Sequence, residues 1–221
     1  QKKLENLMEG SRGVILVGIP ETGEILGAVS APDFKPDLFT GLMLEQDWQN
    51  ILKHPDKPLI NRFNQGLYPP GSIVKMITAV TLLNNQEFDP EVEQICEGSY
   101  QFGDRVFGCW LNRGHGGMNL TSAMLNSCDV YFYQLAERVG IEKIANLAKR
   151  FGLGISPILP LTGVSKGLIP SKSWKKVYKK EAWYTGDTLN SGIGQGFILS
   201  TPIQIAIMTA RIATGLEKKL F

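Results

Sequence analysis

Tyr68-Pro69-Pro70-Gly71-Ser72-Ile73-Val74-Lys75 decides how the rest of the chain is read. Two prolines and a glycine hold the backbone rigid up to Ser72, and beyond it Ile73, Met76, Ile77, Val80 and Leu83 recur at helical spacing as far as Asn84, with no internal Gly or Pro. Ser72 therefore stands at the mouth of a largely buried helix, with Lys75 about one turn along on the same face. That spacing has a chemical use. A serine hydroxyl is a weak nucleophile until a neighbour removes its proton, and a lysine does this only where desolvation or nearby positive charge favours the free amine. A helix N-terminus also turns unpaired backbone N–H groups and a positive dipole end toward the oxyanion formed on attack. Alone, Ser-x-x-Lys reads more readily as a helix cap followed by a surface lysine; the Tyr-Pro-Pro-Gly ahead of it gives the tetrapeptide weight.

Upstream, the apolar runs Val14 to Ile19 and Ile25 to Ser30 flank Pro20-Glu21-Thr22-Gly23-Glu24, which predicts a hairpin of two sheet strands. Pro32, Pro36, Pro55, Pro58, Pro69 and Pro70 then punctuate what is expected to be a long irregular surface stretch. Downstream of a polar, glycine- and cysteine-rich stretch from Glu87 to Asn119, helical patterns return at Thr121 to Asn126, Val130 to Val139 and Ile141 to Phe151, the last closed by Gly152. Residues 127 to 129 fall in a break between helices. Lys166 to Gly196 shows little periodicity and interleaves Lys172, Lys175, Lys176, Lys179 and Lys180 with Trp174, Tyr178, Trp183 and Tyr184, which reads as a solvated face. Thr201-Pro202-Ile203-Gln204 has the cap residue, first-position proline and third-position Gln of a capping box, opening a helix expected to end near Gly215.

The bulk numbers bound the function. With 221 residues, 43% of them hydrophobic and 20% charged, the chain can bury one large core or two small ones, which excludes a disordered or fibrous class. A net charge of +2, from 23 basic and 21 acidic residues, gives no electrostatic reason to expect nucleic acid. No apolar run approaches the roughly eighteen residues of a membrane span, and Gln1-Lys2-Lys3 lacks a signal-peptide layout, so the expectation is a soluble piece cut from something longer. Cys96, Cys109, Cys128 and His115 share one stretch, and three thiols with one imidazole are a ligand set for a closed tetrahedral zinc site. The spacings lack a short Cys-x-x-Cys knuckle, so small buried thiols beside a surface histidine remain the alternative. His54, next to Pro55, reads as a loop residue.

Asn61-Arg62-Phe63-Asn64-Gln65-Gly66-Leu67 leading into the active stretch resembles the active-serine region of class B penicillin-binding proteins, most closely those of the elongation type. The resemblance continues through Ala31-Pro32-Asp33-Phe34-Lys35-Pro36-Asp37-Leu38-Phe39, Gly114-His115-Gly116, Ser127-Cys128-Asp129, Gly192-Ile193-Gly194-Gln195-Gly196 and Thr201-Pro202-Ile203-Gln204, in order and spacing. It implies an α+β fold of the penicillin-binding protein/serine β-lactamase type: an antiparallel sheet with a helical subdomain, about residues 85–165, inserted into a transpeptidase domain covering 1–221. It also implies a D,D-transpeptidase in which Ser72 is acylated by a peptidoglycan stem peptide, Lys75 takes its proton, and Ser127 with Asp129 completes the relay. Gln195 would shape the floor of the substrate site. β-Lactam antibiotics would acylate the same serine. The family's third motif, Lys-Thr-Gly or Lys-Ser-Gly, occurs nowhere in the sequence, so the C-terminal strands are expected beyond Phe221 and this piece is expected to be unable to turn over alone.

Some elongation-type members carry zinc ligands beside the second motif, and the resemblance places His115 and Cys128 at such positions. With Cys96 and Cys109 they would hold a structural zinc that pins the loop through Cys128, and no organic cofactor is expected. The family further implies a glycosyltransferase partner in the elongation machinery, and work on the periplasmic face of the inner membrane from an anchor not in this chain. Glu142 and Asn146 have the Glu-x-x-x-Asn spacing of a deacylating base but fall inside an amphipathic helical pattern, which disfavours a β-lactamase. The competing class is a β-lactam-sensing or non-catalytic zinc-binding scaffold domain.

Overall fold

The computed structural model of the chain describes residues 1–84, 88–159 and 161–215. Along it run the helices α1 (Lys2–Met8), α2 (Glu45–Lys53), α3 (Lys75–Leu83), α4 (Leu120–Leu125), α5 (Asp129–Val139), α6 (Ile141–Arg150), α7 (Lys172–Tyr178), α8 (Thr185–Gly192) and α9 (Pro202–Thr214). The strands are β1 (Gly13–Gly18), β2 (Ile25–Ala31), β3 (Gln94–Cys96), β4 (Ser99–Phe102), β5 (Arg105–Gly108) and β6 (Gly116–Met118). Among the described residues they pair as antiparallel ladders, β1 with β2, β3 with β6 and β4 with β5. The mixture of helices with small antiparallel ladders is the α+β class expected.

Two compact units divide the chain. The first comprises Gln1–Tyr68, Ile155–Gly167 and the residues from Ser200 on. Its hairpin runs in register from Gly13 opposite Ala31 to Gly18 opposite Ile25, with a bulge at Val17/Gly18. Val14, Leu16, Ile25 and Ala28 pack against Phe63, Ile203 and Ile207. The capping box forms as read: Thr201 Oγ1 accepts from Gln204 N–H at 3.3 Å, and Gln204 Oε1 accepts from Thr201 N–H at 3.0 Å. Gln204 Nε2 then donates to Ile155 O at 2.7 Å and Lys166 O at 2.8 Å, fastening the returning segment to the helix start. The proline-rich stretch is less irregular than expected, because Glu45–Lys53 is free of Pro and Gly and winds into α2.

The second unit comprises Pro69–Gly154 and Leu168–Leu199, so the segment expected as an insertion, about 85–165, is shared between the units at Gly154/Ile155. Its centre is α5, which buries Val130, Tyr131, Phe132, Tyr133, Leu135 and Ala136. Each such large apolar side chain contributes about 1.5–3 kcal/mol on burial. Helix α3 packs on it through Ala79 and Leu82, and α6 adds the buried stripe Ile141, Ile144, Ala145, Leu147 and Ala148. Helix α8 crosses α5 closely because Gly192 carries no side chain: a β-carbon there would stand 2.3 Å from Ala136 Cβ. Thr78 Oγ1 seals this layer by donating to Gly192 O at 2.8 Å.

Candidate active site

The nucleophile turn is fixed by two glycine backbones meeting face to face. Gly71 has φ +61° and donates its N–H to Gly194 O at 3.0 Å, while a β-carbon on Gly194, itself at φ +75°, would lie 2.1 Å from Gly71 O. No side chain fits at Gly194, and the positive φ of both residues suits glycine. The chain leaves it through a single 3-10 turn, Gly71–Val74, which passes into α3 at Lys75. Ser72 is exposed on this turn, whereas Lys75 is only 1% exposed.

Ser127 completes the arrangement from the break between α4 and α5. Helix α4 opens on a capping box made by Asn119 and Ser122 and ends at Asn126, after which Ser127 adopts φ +49°, an uncommon conformation for a residue with a β-carbon. Its Oγ donates to Ser72 Oγ at 2.9 Å. Lys75 Nζ donates to Ser127 O at 2.8 Å, to Ser127 Oγ at 3.0 Å and to Asp129 Oδ1 at 2.6 Å, occupying all three ammonium hydrogens. The Phe132 ring, 5.6 Å from Nζ, adds an aromatic face. Sequence spacing suggested direct contact between lysine and nucleophile; among the described residues the link instead passes through the Ser127 hydroxyl.

Asp129, the first residue of α5, has its second oxygen held by the backbone N–H of Trp110 at 3.0 Å, and the Trp110 indole N–H donates to Asn126 O at 3.0 Å. Sequence reasoning did not single out Trp110, since a backbone donor leaves no mark in residue type. Gln195 is exposed between Gly194 and Gly196, with its side-chain amide 3.8 Å from where a Gly71 β-carbon would stand. Glu142 and Asn146 are exposed on α6, and Glu142 Oε1 accepts the Lys172 N–H at 3.0 Å, a structural task at the start of α7. His54 ends α2 in the first unit, where its Nδ1 accepts from Asp56 N–H at 3.1 Å.

The four cluster residues come together. Cys96 closes β3, Cys109 follows β5, His115 precedes β6 and Cys128 caps α5, so the two small ladders carry three of the donors to the start of the helix. Their donor atoms all lie within 4.8 Å of one another, with His115 Nδ1 at 3.6 Å from both Cys96 Sγ and Cys109 Sγ. A tetrahedral zinc with bonds near 2.3 Å to sulfur and 2.0 Å to nitrogen separates its donors by roughly 3.5–3.8 Å, so the residues fit that ion. The thiols are buried and none is in a disulfide. Burial and the neighbouring Cys96 and Cys109 sulfurs push the Cys128 thiol up to about 12. Burial works against Cys109 as well, but the backbone amides of Leu111, Val130 and Asp129 bring its pKa below the usual thiol value.

An exposed serine tied through a second hydroxyl to a buried lysine, on this α+β frame, is the arrangement of a serine acyl-transfer site. Residues 13–219 match the penicillin binding protein transpeptidase domain, and the chain belongs to that family. It is 37% identical over 213 residues to the peptidoglycan D,D-transpeptidase MrdA of Escherichia coli strain K12, which covers 93% of this chain and 33% of that protein. It superposes on Pseudomonas aeruginosa PBP2 in complex with WCK 5153 with a TM-score of 0.91 and 39% identity, covering 96% of this chain and 47% of that one. The Helicobacter pylori PBP2 complexed with MreC gives a TM-score of 0.93 at 36% identity, covering 97% and 40%. The chain thus spans about a third of the curated relative and less than half of each solved chain.

Proposed function

We propose that this chain is the acylating part of a peptidoglycan D,D-transpeptidase, with Ser72 as nucleophile, and the observation that carries the reading is the hydrogen-bonded series Ser72, Ser127, Lys75, Asp129. In the reactive state Lys75 is the free amine. Ser72 passes its proton to Ser127, whose own proton moves to Lys75 Nζ, and Ser72 Oγ attacks the carbonyl between the last two D-Ala residues of a stem peptide. As the C–N bond breaks, Ser127 Oγ gives a proton to the departing D-Ala amine and takes one from Lys75 Nζ, leaving the acyl group on Ser72. An amine from a neighbouring strand then enters, loses its proton to the relay and takes the acyl group. Asp129 holds the ammonium form of Lys75 in line between these steps, and Gln195 borders the substrate. β-Lactams open on the same hydroxyl.

Intact-mass analysis of the protein carrying this chain, after incubation with penicillin, tests the reading: one stable adduct mapping to Ser72 and absent from Ser72→Ala is expected. A folded protein that takes no adduct is a scaffold, and one that sheds it quickly is a hydrolase; either result overturns the proposal.

The cluster of Cys96, Cys109, His115 and Cys128 is proposed to hold zinc as a structural ion, since its fourfold donor set leaves no coordination position for substrate. Zinc would supply the positive charge that lets three crowded thiols ionise, and through Cys128 and Cys109 it would steady Asp129 and Trp110. The wider protein is proposed to work on the periplasmic face of the inner membrane with a glycosyltransferase partner and a protein partner like the MreC bound by the H. pylori relative. Among the described residues no helix is long and apolar enough to cross a membrane.

A further inference from the structure

The lysine- and aromatic-rich stretch from Lys172 to Tyr184 takes no part in the acylation chemistry, yet it is organised around a buried cation. Lys175 is only 3% exposed; its Nζ donates to Asp187 Oδ2 at 2.6 Å and lies 3.6 Å from Glu181 Oε2. The same ammonium stands 4.8 Å from the Tyr184 ring centroid and 5.6 Å from that of Phe197. Phe197 meets Trp174 at 5.3 Å, and Trp174 stacks on Tyr178 at 6.1 Å with 29° between planes. Rings gathered about a fixed charge are set in place before a ligand arrives, which lowers the ordering cost of binding.

The outer surface of this platform joins aromatic and basic groups. Tyr178 is 73% exposed and Tyr184 64%, and Lys176, Lys179 and Lys180 are exposed beside them. From Lys172 to Asp187 there are five lysines against two carboxylates, and both carboxylates are directed at buried Lys175, so the face left to solvent is basic. The chain itself links the platform to the active site. Phe197 follows Gln195 by two residues, a reach of at most about 7 Å along the chain, and the Gln195 amide borders Gly71 next to Ser72.

The geometry points to a binding surface for the glycan strand whose stem peptide is being joined, an anionic polymer laid across Tyr178 and Tyr184 while its peptide reaches Ser72. Tyrosine faces stack on the C–H faces of sugar rings, and the lysines pair with the stem-peptide carboxylates. The inference rests on the transpeptidase reading above. An anionic lipid surface would also suit lysine and tyrosine, but it does not account for the chain link to Gln195.

The test uses full-length protein carrying Ser72→Ala, so that no acyl transfer intervenes, and soluble uncross-linked glycan strands bearing pentapeptide stems. Adding Tyr178→Ala, or Lys176→Gln with Lys180→Gln, is expected to weaken strand binding about tenfold, the size of one interface anchor, without changing the melting temperature. Strands with amidated carboxylates should bind similarly weakly. Equal affinity of the folded variants overturns the inference, as does patch-dependent capture by phosphatidylglycerol vesicles with no strand binding. Penicillin labelling of the unsubstituted protein separates the two ideas: labelling with patch-insensitive strand binding sinks this inference alone, and no labelling sinks the reading beneath it.

Discussion

Ser127 answers two demands at once, a backbone turned to φ +49° and a hydroxyl placed between Ser72 and Lys75. The left-handed conformation costs a residue with a β-carbon about 1 kcal/mol, and glycine escapes that cost. Ser127→Ala and Ser127→Gly should therefore both slow penicillin acylation about a hundredfold or more, while urea denaturation finds the glycine variant the more stable by about 1 kcal/mol. Equal stability would mean that the turn is not strained. Asp129→Asn strips the countercharge from a lysine that is 1% exposed, and removing one partner of a buried pair costs about 3–5 kcal/mol; the same denaturation measurement checks it. Ser72 and Lys75 stood out by their one-turn spacing, whereas Ser127 and Asp129 were marked only by the family resemblance, since Ser-x-Asp alone reads as a helix cap. That Ser127 bridges Ser72 and Lys75 was not legible, since side-chain reach follows from the φ of one residue.

Among the elements, α5, α6, α9 and the β1/β2 hairpin were legible because periodicity and caps marked them over many residues. Strands β3 to β6, at three or four residues each, are too short to show alternation, so the stretch that carries Cys96, Cys109 and His115 read only as polar and glycine-rich. Helices α1, α2, α7 and α8 were also missed; α7 fully buries none of its apolar side chains and α8 has only Leu189 to bury, so both lean on caps such as Ser171 and on the Lys175–Asp187 pair. Burial alone would lower the Lys175 pKa, but Asp187, with help from Glu181, raises it above 10.5. A raised folded-state pKa means that the pair's contribution is whole below the unfolded value near 10.5 and is lost as pH climbs through the higher folded one. Melting temperature should accordingly fall across that alkaline window in the unsubstituted protein, and this component should be missing from Lys175→Met. Gly194→Ala drives a β-carbon to 2.1 Å from Gly71 O, so a loss of about 2–4 kcal/mol with impaired Ser72 acylation is expected in denaturation and labelling assays.

Over the whole molecule the chain passes between its two units at Tyr68/Pro69, Gly154/Ile155, Gly167/Leu168 and Leu199/Ser200. Such threading left no sequence signal, because hydrophobic pattern reports which face of an element is buried and not which unit buries it. Residues of the second unit drawn from either side of Gly103 close the Cys96, Cys109, His115 and Cys128 cluster, so a metal held there should govern the stability of that unit. Chelation is expected to release one zinc per chain, lower the melting temperature and open three thiols to alkylation; unchanged melting with thiols already reactive would remove the metal from the account. The seam between Gly71 and Gly194 has a further, evolutionary meaning. On the reading proposed above, a lineage pressed by an antibiotic that mimics the stem peptide gains nothing from altering those glycines, since both sit at positive φ and a side chain on Gly194 would strike Gly71 O. Variation is then left to side chains outside the seam, and the exposed Gln195 stands beside it.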